Sequence, residues 1–313
     1  MSQPVFLNDY ARNESNVLTI GTFDGLHLGH QVLIKNVVSR AREQNSPAVV
    51  VTFHPHPRTI IHPGDPAVGL LTTLDERARL MENLGIDHMV VIPFNRDFSM
   101  LSSEEFIQNY VFEKIGVKTF VIGYDHHFGR DRKGSINTLH RLSSLLGFEV
   151  YVQKAHEVRH TAVSSSLIRK TLQQEGDVAR AAELLGRPYE LAGTVVKGDG
   201  RGRTLGFPTA NLHPEDKRKV LPANGVYFVE SEEEGETLFG MMNIGSRPTF
   251  DTDGSQTLEI HLFDFSKTIY GFPMRIRFLD RIRGEIKFGS PQELVERLHM
   301  DRQFCLNRME KHK

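Results

Sequence analysis

A chain of 313 residues has room for two domains of ordinary size, and 39% hydrophobic with 25% charged residues is the balance of a protein with buried cores. Thirty-eight Lys and Arg against thirty-nine Asp and Glu leave a net charge of −1, which excludes a global field that draws the chain to nucleic acid or to an anionic membrane. The single cysteine, Cys305, excludes an internal disulfide and a multi-cysteine metal site, and fits a reducing compartment.

The opening residues, "MSQPVFLNDYARNESNV", lack the basic patch and apolar core of a secretory signal, and no later apolar run approaches bilayer length. A cytoplasmic chain without a membrane partner is expected. From residue 17 to about 160 one rhythm repeats, a short β-branched run followed by a helical pattern. The runs are "VLTI" (17–20), "PAVVVTF" (47–53), "HMVVIPF" (88–94), "TFVIG" (119–123) and "FEVYVQ" (148–153), with amphipathic helices predicted near 31–44, 74–84, 103–115 and 135–146. Apolar strands alternating with helices predict a parallel sheet covered on both faces, a Rossmann-like α/β domain whose ligands sit at the carboxyl ends of the strands.

Gly186 with Pro188 closes a further helical segment, and the rhythm then changes. "LAGTVV", "GVYFVES", "LFGMMNIG", "TLEIHLFDF" and "MRIRFL" read as strands with turn residues between them, an antiparallel barrel or sandwich finished by a helix over about 291–311. The domains expected are 1–186 and 187–313. "ESEEEGE" (230–236) reads as a solvated hairpin tip.

Chemistry concentrates in "VLTIGTFDGLHLGHQVLI" (17–34), where a strand runs through a glycine-bearing turn into a helix. A helix N-terminus offers unpaired N–H groups and partial positive charge, which favour a phosphate. Residues three apart on the first turn share a face, so His27 and His30 would meet at one anion, with Gly29 keeping the backbone bare between them. Such an arrangement suits phosphoryl or nucleotidyl transfer, in which positioning and charge stabilisation do most of the catalysis.

"GTFDGLHLGHQ" resembles the signature of the HxGH nucleotidyltransferase superfamily, and in particular its version in the bifunctional prokaryotic riboflavin kinase/FAD synthetases. "TFHPHP" (52–57), "GYDHHFGRDRKG" (123–134) and "VSSSLIR" (163–169) match the same family in order, as do "GRGRTLGFPTANL" (200–212), "NGVYFV" (224–229), "NIGSRPTF" (243–250) and "LEIHLFDF" (258–265). The resemblance implies an FMN adenylyltransferase followed by a six-stranded antiparallel riboflavin kinase barrel with a C-terminal helix. Its substrates would be riboflavin, FMN and ATP, with Mg²⁺ as the metal. Oligomeric state is left open, a monomer being possible.

In the adenylyltransferase, the resemblance implies an ATP site at Gly21, Phe23, Asp24, His27, Gly29, His30 and Asp125, with Ser164, Ser165 and Ser166 gripping phosphate and Arg169 supplying a delocalised cation. Serines ahead of a helix also serve as ordinary N-caps. Phe53, Pro55, Pro57 and Phe128 would form the flavin-side wall. No covalent intermediate is expected.

The cluster "KGDGRGRTLGF" is neither a Walker A loop nor a dinucleotide fingerprint. Followed by "PTAN", it resembles the kinase phosphate loop, with Gly200, Arg203 and Gly206 on ATP and with Thr209 and Asn211 on Mg²⁺. Strand alternation sends Leu258, Ile260 and Leu262 one way and Glu259 and His261 the other; the resemblance makes Glu259 the catalytic base. Asp301 and Arg302 on the terminal helix resemble a flavin lid, although solvated charges there are also possible readings. "HEVRH" (156–160) matches a zinc-protease pattern in letters only: in an extended segment positions four apart lie about 13 Å from each other, too far to share one ion. A different HxGH transferase would leave "GFPTANL" and Glu259 without a task. A non-catalytic flavin-binding regulator would leave His27, His30, Arg169, Thr209, Asn211 and Glu259 without one.

Overall fold

The computed structural model describes residues 3–63, 69–123, 134–153, 163–198, 202, 205–246, 256–267 and 269–309. Contacts divide the chain into two compact units, Met1–Ser165 and Ser166–Lys313.

The first unit is built on six strands: β1 (Val5–Phe6), β2 (Val17–Ile20), β3 (Ala48–His54), β4 (His88–Pro93), β5 (Thr119–Gly123) and β6 (Glu149–Gln153). They pair in parallel in the order β1-β4-β3-β2-β5-β6. Side-chain alternation divides the apolar residues between two cores. Leu18, Ile20, Val49, Val51, Val90, Ile92, Phe120 and Ile122 face one layer, and Val17, Ala48, Val50, Met89, Val91 and Val121 the other. Every one of these is buried, so both faces must be roofed, which the crossover helices do. Burying each such valine or isoleucine contributes roughly 1.5–3 kcal/mol. The chain winds outward from β2 to β3 and β4, then returns to place β5 on the other side of β2. The carboxyl end of β2 is therefore the switch point where doubly wound sheets open a crevice, and residues 21–30 occupy it.

The five predicted strands and four predicted helices of this unit are present, the helices at Leu28–Glu43, Leu74–Asn83, Ser103–Ile115 and Ile136–Leu146. The third begins as α-helix and continues as a π-helix over Phe106–Ile115. Strand β1 was not foreseen, since two residues carry no periodicity; it pairs Val5 with Val90 at the sheet's edge.

The second unit is a closed antiparallel barrel of β7 (Tyr189–Val196), β8 (Ala210–Pro214), β9 (Gly225–Glu233), β10 (Glu236–Ser246), β11 (Gln256–Leu262) and β12 (Pro273–Arg283), in the order β10-β11-β8-β7-β12-β9. Closure resolves the choice between barrel and sandwich. Its acidic hairpin tip turns at Glu234 and Gly235, both at positive φ, and Glu234 pairs with Lys267 at 2.6 Å. The terminal helix, Pro291–Met309, lays Cys305 against Phe207, Val226, Phe228, Phe239, Met241 and Phe263.

The helical segment expected to complete the first domain packs on the barrel instead. The turn after Thr171–Glu175 runs through Gly176 at φ +64°, where a Cβ would lie 2.7 Å from the Tyr227 hydroxyl. Ala223 N–H donates to the Leu172 carbonyl at 2.9 Å, and Arg281 Nη1 to that of Glu175 at 2.7 Å. By contacts the division falls at Ser165/Ser166, some twenty residues before the change of rhythm at Gly186.

Candidate active sites

The switch-point loop is held in a conformation that its sequence alone resists. Phe23 (φ 46°) and Leu26 (φ 43°) are left-handed beside Gly25 (φ 81°), a conformation that costs a side-chain-bearing residue about 1 kcal/mol or more. The compensation is burial. Phe23 and Leu26 are inside the core, and the Phe23 ring meets His30 edge-on at 5.2 Å. A Cβ at Gly21 would lie 3.0 Å from the Phe23 ring, so the bare backbone there is needed for packing.

His27 is the N-cap of Leu28–Glu43, and its Nδ1 accepts the backbone N–H of His30 at 3.3 Å. A backbone N–H can only donate, so Nδ1 holds a lone pair and a neutral His27 carries its proton on Nε2. The two imidazoles stack with centroids 3.6 Å apart and planes 19° from parallel. A Cβ at Gly29 would lie 3.3 Å from the His27 ring. The spacing thus does bring His27 and His30 together at a helix N-terminus, although as a stack and not as two separate arms.

Asp24, expected on the nucleotide, serves the protein. Its carboxylate is 1% exposed and accepts from Leu71 N–H at 3.0 Å, Thr72 N–H at 2.9 Å and the Thr72 hydroxyl at 3.1 Å. Arg77, itself buried, stands 3.8 Å from it and donates to the Thr52 hydroxyl at 3.1 Å, which in turn donates to the Thr22 carbonyl. Ser165 donates to the Asp24 carbonyl at 2.8 Å. Asp24, Thr52, Thr72 and Arg77 therefore tie the loop to β3 and to the start of Leu74–Asn83. Sequence reasoning missed Arg77; one arginine in an amphipathic helix carries no signal of its partner.

Ser166 and Arg169 fall in the second unit, on helix Ser165–Lys170, where Arg169 is buried. Phe53 belongs to an aromatic cluster with Phe94, Phe98 and Phe106, at centroid distances of 5.7, 5.9 and 6.2 Å. Pro57 opens the short helix Pro57–Ile61, capped by Nδ1 of His56, and Pro55 is half-buried before it. Asp125, Phe128, Gly200 and Arg203 lie outside the described residues, as does "HEVRH".

In the barrel, Gly202, Phe207, Thr209, Asn243, Glu259 and His261 line one cavity of about 310 Å³ together with Arg283, Glu285 and, from the terminal helix, Leu294 and Leu298. Alternation holds: Leu258, Ile260 and Leu262 are buried in the wall while Glu259 and His261 open to the cavity. Register places Glu259 opposite Asn211 on β8 and opposite Asn243 on β10, a polar row across three strands. The turn before β8 pivots on Gly202, whose carbonyl accepts from Leu205 and Phe207; a Cβ there would lie 2.2 Å from the Phe207 carbonyl oxygen and 3.2 Å from the Thr209 hydroxyl. Gly206 sits in the same turn at φ +81°. Strand β8 opens within "PTANL", whose composition is that of a phosphate loop.

His261 Nδ1 lies 2.8 Å from the Pro208 carbonyl, between the rings of Phe207 and Phe263. Burial pushes its pKa below the ordinary imidazole value.

The terminal helix corrects one expectation. Asp301 is neither solvated nor turned to a flavin: fully buried, it accepts from Arg283 Nε at 2.8 Å and lies 3.0 Å from Arg297 Nε. It locks the helix that forms the cavity wall. Arg302 reaches Asp264 at 3.3 Å and covers the Phe263 ring at 5.6 Å.

Among the described residues no helix is long and apolar enough to cross a membrane, and no three His, Cys, Asp or Glu gather as a metal cage. The FAD synthetase family model matches residues 9–167 and the riboflavin kinase model residues 185–309. The bifunctional riboflavin kinase/FMN adenylyltransferase of Bacillus subtilis is 38% identical over 92% of this chain and 90% of its own length. Those of Haemophilus influenzae and Escherichia coli K12 are 38% and 36% identical over 91% and 93% of this chain, and 91% and 92% of their own. A crystal structure from Streptococcus pneumoniae, described as a macrolide-efflux protein, superposes with a TM-score of 0.86 at 34% identity, covering 96% of this chain and 97% of that one. A doubly wound sheet with stacked imidazoles at its switch point, followed by a closed barrel with Glu259 in its cavity, is matched by both family models and by full-length relatives, and the chain belongs to the bifunctional riboflavin kinase/FMN adenylyltransferases.

Proposed function

We propose that riboflavin is phosphorylated in the barrel cavity and that FMN is adenylylated at the His27–His30 stack, each from ATP. The observation that carries the first assignment is the convergence of Glu259 and Thr209 on one cavity. Glu259 accepts the proton of the riboflavin 5′-hydroxyl as that oxygen attacks the γ-phosphorus, and ADP leaves.

The donors there fit a magnesium ion. The Thr209 hydroxyl and the Asn211 amide carbonyl are hard oxygens, few enough to leave most of an octahedron to phosphate oxygens and water. Only glycine fits at position 202, where a Cβ would lie 2.2 Å from the Phe207 carbonyl oxygen, so the turn can bring its backbone close to the Thr209 hydroxyl. When bound, Mg²⁺ would neutralise charge on the β- and γ-phosphates. Thr209 and Asn211 would hold it, leaving Glu259 to act as the base.

At the other site the imidazoles of His27 and His30, stacked at the start of the helix, would meet the ATP phosphates together with the helix N-terminus. The FMN phosphate attacks the α-phosphorus and pyrophosphate leaves, with no enzyme nucleophile. Phe53 and Pro55 are read as flavin-side surface, and Arg302 as a rim charge of the kinase cavity. A cytoplasmic location and no nucleic-acid partner accord with one buried cysteine and a net charge of −1.

The test is incubation with riboflavin and Mg²⁺-ATP, followed by chromatography of the flavins. Glu259→Gln is expected to abolish FMN formation and spare FAD formation from supplied FMN; His30→Ala is expected to do the reverse. Loss of both activities from either change would overturn the two-site assignment.

A further inference from the structure

We infer that His261 is a positioning residue for phosphoryl transfer: its ring ties the peptide that carries Thr209 to the strand that carries Glu259. The inference rests on the barrel cavity being the kinase site. The pairing of β8 with β11 runs through Glu259–Asn211 and Ile260–Ala210 and goes no further. Continued by one step, the same antiparallel register would set His261 opposite Thr209, and by two steps Leu262 opposite Pro208. Proline has no N–H to give to a ladder, so backbone pairing is lost at the point where the loop must be held.

The side chain of His261 supplies the tie. Nδ1 lies 2.8 Å from the Pro208 carbonyl oxygen. A carbonyl only accepts, so Nδ1 is the protonated nitrogen and the bond is Nδ1–H to oxygen. The ring cannot swing away: Phe207 meets it at 5.2 Å and 64°, Phe263 at 5.8 Å and 69°. The Pro208–Thr209 peptide is trans, so aiming its C=O at His261 sends the Thr209 N–H the opposite way and fixes the plane from which the Thr209 side chain departs. Glu259 and His261 share a face of β11 two residues apart, roughly 7 Å along the strand. One rigid strand thus carries both the base and the clamp on the phosphate-side loop, and the distance between Glu259 and Thr209 is set by that clamp.

The experiment is steady-state kinase kinetics on the full-length protein carrying His261→Phe, His261→Asn or His261→Gln. Phenylalanine keeps the ring and loses the donor. Asparagine places an amide N–H near the Nδ1 position, whereas glutamine places one near Nε2. A misplacement of this kind predicts a fall in kcat/KM for Mg²⁺-ATP of about 10²-fold in His261→Phe and His261→Gln, with the riboflavin KM held within about threefold. His261→Asn is expected to recover to within about fivefold of wild type, a rescue that a purely structural ring would not show. FAD formation from supplied FMN stays at the wild-type rate in all three. Wild-type kcat/KM in His261→Phe, a defect in His261→Asn equal to that in His261→Gln, or a loss carried by the riboflavin KM would each overturn the inference. If His261→Phe fails to fold, the asparagine–glutamine contrast decides alone. Glu259→Gln is assayed alongside: intact FMN formation there would remove the kinase-site reading itself, whereas its loss together with a silent His261→Phe removes only the role of His261.

Discussion

The helix cap made by His27 Nδ1 and the phosphate contact proposed for its Nε2 can be separated. Asparagine is a good N-cap but has nothing at the Nε2 position, so His27→Asn is expected to lower adenylyl transfer by about 10²-fold or more while thermal stability stays near wild type. His27→Ala loses the cap as well, which costs about 1 kcal/mol, read as an earlier urea midpoint. Cys305 supplies a pH signature. Burial, with Asp301 and Asp280 nearby, pushes its thiol from 9.0 up to about 12, and burial pushes the Tyr227 hydroxyl from 10.0 to about 12. Above pH 9 the unfolded chain releases the Cys305 proton while the folded chain keeps it. The folded state then binds more protons, so stability falls as pH rises, by at most about 1.4 kcal/mol per unit for each group. Urea midpoints measured from pH 8 to 11 are expected to decline, less steeply in Cys305→Ala between 9 and 10. At this scale the sequence disclosed what spacing encodes. His27 with His30 is legible because three residues make most of a helical turn, and Glu259 because a strand alternates. Arg77, Asn243 and the buried state of Asp301 depend on partners some distance away along the chain, which no local pattern records.

Two elements are held by buried charge. The loop over residues 70–72 hangs on the Asp24 carboxylate, with Arg77 behind it, and the terminal helix hangs on Asp301 between Arg283 and Arg297. Removing one partner of a buried pair strands the other, at a cost of roughly 3–5 kcal/mol. Arg77→Leu is expected to lower stability by an amount of that order and to impair FAD formation through the displaced loop, while FMN formation at a permissive temperature persists. Asp301→Leu is expected to do the converse, raising the riboflavin KM because Leu294 and Leu298 leave the cavity wall. The longer elements were legible because apolar periods of two and of 3.6 persist over several repeats. Strand β1 has two residues, and β8 opens within a motif whose composition resembles a loop. The π-helical winding of Phe106–Ile115 has the same apolar residues as an α-helix would.

Over the molecule, the change from alternating strands and helices to strands alone disclosed both architectures; the riboflavin kinase model begins at residue 185, near that change, whereas contacts divide the chain at Ser165/Ser166. Apolar pattern shows which residues are buried and not which core receives them, and the segment from Ser166 to Leu185 belongs by contact to the barrel's unit. A fragment spanning 166–313 is expected to unfold cooperatively, whereas one starting at 187 is expected to have a lower melting midpoint, because Ala223 and Arg281 lose the carbonyls of Leu172 and Glu175.

The barrel thus wears a helical collar drawn from the stretch that by rhythm looks like its neighbour's tail. Anyone exchanging kinase halves between relatives should splice ahead of that collar. A graft joined at the first barrel strand would inherit a foreign segment against Tyr227, where Gly176 leaves no space for a side chain.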